Sequence, residues 1–180
     1  MSVAGRLEAM PYGRFHRRLL WMGGLAYSFD GFDVAMLGFV YPILARLWRL
    51  DAPLVGVIGS ATFVGYFFGA AGAGLIADRI GRRRVMLAAL AIYTAFSLLS
   101  ALCGDWRGFM AARLLAGVGV GAQSAIVAPF LTEFVSSRYR GLFAGALASF
   151  FSFGFVGAAL ASTLVLPHHS GAWRWMLACT

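Results

Sequence analysis

The sequence predicts an all-α integral membrane protein. Hydrophobic residues make up 61% of the 180 residues and charged residues only 12%, whereas a soluble domain carries about 25% charged residues. So few charges cannot cover a water-facing surface, so the apolar side chains must face lipid. A buried helical bundle inside a large soluble complex is the alternative, and the length of the apolar runs argues against it.

The apolar runs have the length of membrane spans, since a helix crosses the hydrocarbon core in about 20 residues. We expect five complete spans and the start of a sixth, preceded by a cytoplasmic N-terminal segment over residues 1–19. The first run is too long for a signal peptide and has no small-residue cleavage site. The predicted spans cover residues 20–44, 54–77, 85–103, 109–132, 142–166 and 173–180, the last of them cut off at Thr180.

The distribution of arginines predicts the orientation of the spans. All 15 basic residues are arginines, and more of them belong on the side of the N-terminus, which is therefore expected in the cytoplasm, with the bacterial inner membrane as the location. The net charge of +8 is also typical of nucleic-acid binding. However, the arginines cluster beside apolar runs, where anionic headgroups explain them, so no nucleic-acid partner is expected. The cytoplasmic set is Arg6, Arg14, Arg17, Arg18, Arg79, Arg82, Arg83, Arg84, Arg138 and Arg140, against Arg46, Arg49, Arg107 and Arg174.

Two acids, Asp30 and Asp33, lie in the middle of the first predicted span. Their spacing of three residues places them on one helix face. A charged carboxylate in this position costs about 2.5–3.5 kcal/mol on insertion scales. They should therefore face a water-filled path, pair with a cation or take up protons, and we predict a role in proton coupling. A structural acid satisfied by a neighbouring arginine is the alternative.

Arg113 is the basic residue that lies well inside a predicted span. Its depth is similar to that of Asp33, which indicates an ion pair or a shared cavity. We expect Arg113 to tune carboxylate protonation or to hold an anionic substrate, and a purely structural pair is the alternative. Six other polar residues are candidates for a cavity lining, although ordinary interhelical hydrogen bonds explain them better. They are Tyr27, Ser28, Tyr66, Gln123, Ser124 and Ser149.

Small residues recur four positions apart, in the pairs Gly65 with Gly69, Gly117 with Gly121, and Gly141 with Gly145. In lipid such pairs allow helix backbones to approach closely, and generic close packing is the favoured interpretation. Glu133 and Arg140 flank the second inner loop. We expect them to join an inner network of ion pairs with the first inner loop, although an exposed pair alone contributes little.

One segment resembles the loop between spans 2 and 3 of the major facilitator superfamily. It reads Gly74-x-Ile76-Ala77-Asp78-Arg79-x-Gly81-Arg82-Arg83. The resemblance implies that this loop latches the inner gate, with Asp78 contacting a helix of a second half. Arg113-Leu-Leu-Ala-Gly117-Val-Gly119-Val-Gly121 resembles the span 4 motif, whose arginine is associated with proton coupling. The segment that contains Glu133 and Arg140 resembles that of sugar porters and organic-acid carriers.

Asp30-Gly31-Phe32-Asp33 resembles span 1 of aromatic-acid:proton symporters, in which both acids are implicated in transport. The resemblance implies an incomplete N-terminal six-helix half of a twelve-span carrier over residues 20–180, whose substrate site lies between two halves. The expected partners are therefore a small-molecule substrate, protons, the lipid bilayer and a missing C-terminal half.

These observations leave three functional hypotheses. The first is a proton-coupled secondary transporter of a small organic, and in particular aromatic, acid. The second is a sugar- or drug-type facilitator of the same superfamily, and the third is a truncated product without transport activity. An enzyme is not expected because the inner loops are too short for a catalytic domain. No cofactor or metal is expected either, since Cys103 and Cys179 fit no metal motif.

Overall fold

The structure is a computed structural model that describes residues 13–165 and 172–178, and these residues form helices and no strand. Helices α1 to α5 are each long and apolar enough to cross a membrane, so the predicted all-α membrane fold is confirmed. Most of the predicted N-terminal segment, and the loop after α5, lie outside the described residues. The helices are α1 (Arg14–Leu47), α2 (Ala52–Ile80), α3 (Arg82–Leu102), α4 (Trp106–Glu133), α5 (Ser137–Val165) and α6 (Ala172–Ala178).

The helices extend beyond the predicted spans. The 34 residues of α1 measure about 50 Å along the helix axis, whereas the hydrocarbon core is about 30 Å thick. Hydropathy marks only the part of a helix that lies in lipid, and arginine, a good helix former, continues the helix into the polar flank. For this reason the loop predicted over Asp78–Arg84 is shorter in the structure, where a single residue, Gly81, separates α2 from α3.

Local sequence signals explain where the helices begin and end. Gly81 has a φ of 91°, a left-handed conformation that costs other residues about 1–2 kcal/mol, and it allows α3 to follow α2 directly. Pro53 lies in the first turn of α2, where its missing N–H costs nothing. Asp105 caps α4 because its Oδ2 accepts from the backbone N–H of Arg107 at 3.1 Å and of Gly108 at 3.0 Å.

Helices α2 and α4 pack backbone to backbone through reciprocal glycines. A Cβ atom at Gly65 would collide with the carbonyl of Leu114, and one at Gly117 would collide with the carbonyl of Thr62. Gly69 and Gly121 continue the same contact one turn further along each helix. The predicted pair Gly141 and Gly145 differs, because a Cβ atom at either position would meet nothing within 4 Å.

The helices form two closely packed groups, one of α2, α3 and α4 and the other of α1 and α5. Within the second group Gly31 faces the carbonyl of Phe151, and Gly154 faces that of Ser28. The contacts of α1 with α2 and α4 are much less extensive. Cavities open along this looser seam, and the buried charges lie beside them.

Helix α6 closes the end of the bundle opposite the α2–α3 turn. Trp173 and Leu177 are buried against Met36, Val40 and Phe109 in the largest apolar cluster. Elsewhere, large apolar side chains cover the outside of the helices, and Leu75 is exposed to 74% and Leu142 to 73%. Such a surface suits a hydrocarbon environment rather than water.

Candidate functional site

Arg113 on α4 and Asp33 on α1 form a buried ion pair. Nη1 of Arg113 lies 3.0 Å from Oδ1 and 3.2 Å from Oδ2 of Asp33, and the two side chains are 0% and 4% exposed. Removing a charge from water costs several kcal/mol unless a well-oriented partner compensates it. Each residue therefore neutralises the other, and the structure brings together the two residues that the sequence places at a similar depth.

Arg113 has two further contacts that the sequence analysis did not single out. Nη2 of Arg113 lies 3.4 Å from Oγ of Ser97 on α3. Cζ of Arg113 lies 5.8 Å from the ring centroid of Phe109. Phe109 precedes Arg113 by one helical turn, a spacing that gives contact on one face. Within residues 13–165 and 172–178, Nε of Arg113 has no hydrogen-bond partner.

Asp30 lies one turn from Asp33 in a different environment. It is 9% exposed, and no side chain in the described ranges forms a hydrogen bond or ion pair with it. It borders a cavity of about 270 Å³ with Tyr27, Tyr66 and Ser124. The two acids of the first span are therefore unequal, because one has a cation partner and the other borders a cavity.

A smaller cavity of about 60 Å³ lies beside Asp33. It shares Val34, Phe63, Tyr66 and Val120 with the larger cavity, so the two carboxylates border adjoining spaces along the seam. Phe63 is exposed to 65% and Tyr66 to 40%, which shows that the seam opens to the surface of the bundle.

A hydrogen bond between hydroxyl groups crosses from α4 to α2 at the larger cavity. Oγ of Ser124 lies 2.6 Å from the hydroxyl oxygen of Tyr66 and 3.1 Å from the carbonyl oxygen of Gly121. Three of the six polar candidates, Tyr27, Tyr66 and Ser124, thus border this cavity.

The other three polar candidates lie elsewhere. Ser28 donates to the carbonyl of Phe150 at 2.8 Å, joining α1 to α5, and Ser149 donates to the carbonyl of Gly145 within α5 at 3.0 Å. Gln123 is buried and borders a separate, mainly apolar cavity of about 340 Å³ between α1, α3 and α4. Its Oε1 accepts no hydrogen bond from the part of the chain that the structure describes.

Glu133, at the end of α4, forms an ion pair with Arg82 at the start of α3. The side chains are exposed to 55% and 43%, respectively, and such exposed pairs contribute about 0–1 kcal/mol. Arg140 lies apart from this pair, because its Nε donates to the carbonyl of Val135 at 3.0 Å. The geometry therefore links the first inner loop to α4 through Arg82.

The remaining residues of the predicted gating loop lie at the exposed end of the bundle. Asp78, Arg79 and Arg83 are exposed, and no described residue forms a hydrogen bond or ion pair with their side chains. Gly74 faces open space, since a Cβ atom there would meet nothing within 4 Å. Gly81 provides the turn between α2 and α3. Asp78, Arg79 and Arg83 therefore form a polar surface without a described partner.

His16 is a buried residue whose structural contacts the sequence analysis missed. Its Nδ1 accepts from the backbone N–H of Gly13 at 3.3 Å, so its Nε2 carries the proton and donates to the carbonyl of Phe134 at 3.1 Å. It links the start of α1 to the turn between α4 and α5. The sequence signal is weak, because it consists of a histidine at the third position of a helix.

The sequence model of the Major Facilitator Superfamily matches residues 23–179. This range includes both acids of α1, Arg113 and the complete α2–α3 turn. The chain belongs to the Major Facilitator Superfamily.

Curated relatives cover almost all of this chain but a minor part of their own length. The niacin transporter NiaP of Acinetobacter baylyi is 34% identical over 168 residues, which are 93% of this chain and 38% of that protein. The 4-hydroxybenzoate transporter PcaK of Pseudomonas putida is 30% identical over 177 residues, 98% of this chain and 39% of that protein. Because these relatives are named transporters, the prediction that the chain is not an enzyme is confirmed.

A solved structure shares the fold. The xylose transporter XylE from E. coli, in a partially occluded inward-open conformation, superimposes with a TM-score of 0.81 at 18% identity, over 91% of this chain and 46% of that chain. The helices described here therefore have the arrangement of a part of a superfamily carrier, as the resemblance of the loop motif implied.

Proposed function

We propose that this chain is the N-terminal part of a secondary transporter that carries a small organic acid, in particular an aromatic acid, together with protons. The observation that carries the proposal is the inequality of the two acids in α1. Asp33 is neutralised by Arg113, whereas Asp30 borders the cavity without a described cation partner. The relatives named for niacin and for 4-hydroxybenzoate support an aromatic acid as the substrate.

Charge balance along the seam gives the coupling. Arg113 can neutralise one buried carboxylate, and Asp33 already occupies it. A substrate carboxylate that enters the seam adds one more negative charge, which costs several kcal/mol if uncompensated. One proton taken up by Asp30 or Asp33 restores the balance, so the anion and the proton move together. Release of both on the other side returns the Asp33–Arg113 pair.

The proposed transporter needs a second half. The chain spans 38% of the length of NiaP, and its cavity opens to the bundle surface at Phe63 and Tyr66. A second six-helix half would supply the opposing wall, because superfamily carriers bind substrate between their halves. We place the N-terminus in the cytoplasm and the protein in the bacterial inner membrane, as the arginine distribution indicates.

The inner surface belongs to the same proposal. Asp78, Arg79 and Arg83 have no described partner and are the groups that a second half would contact when the inner gate closes. The Arg82–Glu133 pair holds the α2–α3 turn against α4 in the described conformation. In this proposal Gly74 and Gly81 are the small residues of the gating loop, and Arg140 belongs to the inner charged surface.

The first test establishes the extent of the native protein. Mass spectrometry of the product of the gene that encodes these residues, isolated from its own membrane, should find peptides that follow Thr180 in the same chain. A native product that ends at Thr180 would favour the third hypothesis, a truncated product without transport activity.

The second test measures coupled uptake by that native product in proteoliposomes. An imposed pH gradient, acidic outside, should drive accumulation of labelled nicotinate or 4-hydroxybenzoate, and a protonophore should abolish it. Asp30→Asn and Asp33→Asn should lose gradient-driven uptake, whereas Asp51→Asn, an exposed acid outside the site, should keep it. Uptake that ignores the gradient, or uptake of xylose in place of both acids, would favour the facilitator hypothesis.

A further inference from the structure

The cavity beside Asp30 is lined by polar groups and by aromatic rings. Its carboxylate and hydroxyl groups belong to Asp30, Tyr27, Tyr66 and Ser124. The aromatic rings of Phe63 on α2 and Phe151 on α5 belong to the same lining. A planar ring packs well between aromatic side chains, and the volume of about 270 Å³ is near the lower limit of ligand pockets. This part of the seam is therefore suited to a ligand with a single ring.

The hydroxyl pair of Tyr66 and Ser124 can act as a donor or as an acceptor. Each hydroxyl has one proton, and Oγ of Ser124 lies within reach of both the Gly121 carbonyl at 3.1 Å and the Tyr66 oxygen at 2.6 Å. If Ser124 donates its proton to the Gly121 carbonyl, Tyr66 donates its proton to Oγ of Ser124. The pair can then only accept a hydrogen bond from a ligand in the cavity. If Ser124 donates to Tyr66, the proton of Tyr66 is free for a ligand.

This inference rests on the proposed transport of an aromatic acid. We propose that the Tyr66–Ser124 hydroxyl pair determines specificity, by binding a polar ring substituent, a hydroxyl or a pyridine-type nitrogen, on a single-ring aromatic acid. A ring hydroxyl meets the acceptor arrangement of the pair, and a ring nitrogen meets the donor arrangement. Phe63 and Phe151 hold the ring, and Tyr66 contributes to selection because it borders the same cavity as Asp30.

The alternative role of this hydrogen bond is structural, as a tie between α2 and α4. The two roles differ in what they change. Loss of a structural tie lowers the transport of all substrates by the same factor, whereas loss of a selective contact lowers only the preference for substituted rings. The ratio of apparent affinities for two matched acids therefore separates the roles.

The test compares benzoate with 4-hydroxybenzoate, which differ by one hydroxyl, in uptake by the native product. Wild type should have a KM for 4-hydroxybenzoate about 10-fold below that for benzoate, which is about 1.4 kcal/mol and lies in the upper part of the range for one net hydrogen bond. Tyr66→Phe, which keeps the ring, should reduce this ratio to within about twofold of one. Ser124→Ala should reduce it as well, and it serves as the second variant where Tyr66→Phe does not fold.

Ser149→Ala is the matched control, because Ser149 is exposed and its described hydrogen bond lies within its own helix. It should keep the wild-type ratio. Three outcomes overturn the inference: a wild type without preference, an unchanged ratio in both cavity variants, or the same loss in Ser149→Ala. In those cases gradient-driven uptake of either acid leaves the transport proposal intact. If wild type takes up none of benzoate, 4-hydroxybenzoate and nicotinate, both proposals are wrong.

Discussion

Arg113 donates from one guanidinium nitrogen to both carboxylate oxygens of Asp33, at 3.0 and 3.2 Å, and this contact joins α4 to α1 across the loosely packed seam between the two groups of helices. The two closely packed groups of helices are thus held together by a neutral pair of charges as well as by apolar packing. A pair that lies between two groups responds both to protonation and to any change in their spacing.

The first prediction concerns the stability that this pair confers. Arg113→Leu leaves Asp33 buried without a cation, so we expect a loss of about 3–5 kcal/mol in the free energy of unfolding. Arg113→Leu combined with Asp33→Leu removes both charges and should recover most of that loss. Unfolding in a mild detergent measures both. A single variant as stable as wild type would show that the pair is not buried in the folded protein.

The second prediction concerns the glycines between α2 and α4. A Cβ atom at Gly117 would meet the carbonyl of Thr62, so Gly117→Ala should destabilise the protein by about 1–3 kcal/mol. Gly145→Ala is the matched control, because that position is open, and loss of a helical glycine should stabilise by about 0.5–1 kcal/mol. Thermal unfolding of the two variants should shift in opposite directions, and shifts of the same sign would contradict the packing.

Those glycines show how far the sequence predicts the fold. The small-residue pattern is identical for Gly117 with Gly121 and for Gly141 with Gly145, yet only the first pair packs against another helix. Spacing shows which residues share a face, but the neighbour of that face depends on all the helices together. Helix number, helix type and the approximate spans follow from hydropathy alone. The helix ends do not, since a helix continues beyond the lipid.

The candidate site shows the same division. The sequence places Asp33 and Arg113 at a similar depth, but depth alone cannot decide between an ion pair of these two residues and a shared cavity. The rotation of α1 relative to α4 determines the outcome, and in the structure Arg113 forms an ion pair with Asp33. Ser97 has no sequence signal, because one serine in an apolar helix is ordinary until its neighbours are known.

The third prediction tests the link between the α2–α3 turn and α4. A double-mutant cycle of Arg82→Gln and Glu133→Gln should give a coupling energy of about 0.2–1 kcal/mol that falls as salt is added. Arg83→Gln is the control, since Arg83 is exposed in the same turn and Glu133 pairs with Arg82. Equal coupling of both arginines to Glu133 would indicate a diffuse charge effect in place of a specific pair.

The fourth prediction uses Cys103 to determine orientation. Burial, and then the charge of Asp105, raise the pKa of the Cys103 thiol. A raised pKa leaves less thiolate at neutral pH, so maleimide labelling should be slower than for a free cysteine and should accelerate as pH rises. Asp105→Asn keeps a helix cap but removes the charge, so it should lower the thiol pKa and accelerate labelling.

This labelling is done in a Cys179→Ser background on intact cells. Cys103 follows the last residue of α3, and the proposed orientation places this end of the helix outside. A membrane-impermeant maleimide should therefore label it without lysis. Labelling that requires permeabilised cells would reverse the proposed orientation of every span.

The last prediction separates the two acids of α1. Asp33→Asn leaves the buried Arg113 without its counter-charge and should destabilise the protein, by an amount comparable to the loss in Arg113→Leu. Asp30→Asn removes an acid that has no described cation partner, so it should fold with wild-type stability or better.

Both Asp30→Asn and Asp33→Asn should lose gradient-driven uptake, but for different reasons. Asp30→Asn should still exchange labelled for unlabelled substrate at equal pH, because its neutral amide, like a protonated Asp30, adds no negative charge to that of the substrate carboxylate. Proton-driven accumulation by a stable Asp30→Asn protein would remove Asp30 from the coupling and leave Asp33 as the proton carrier.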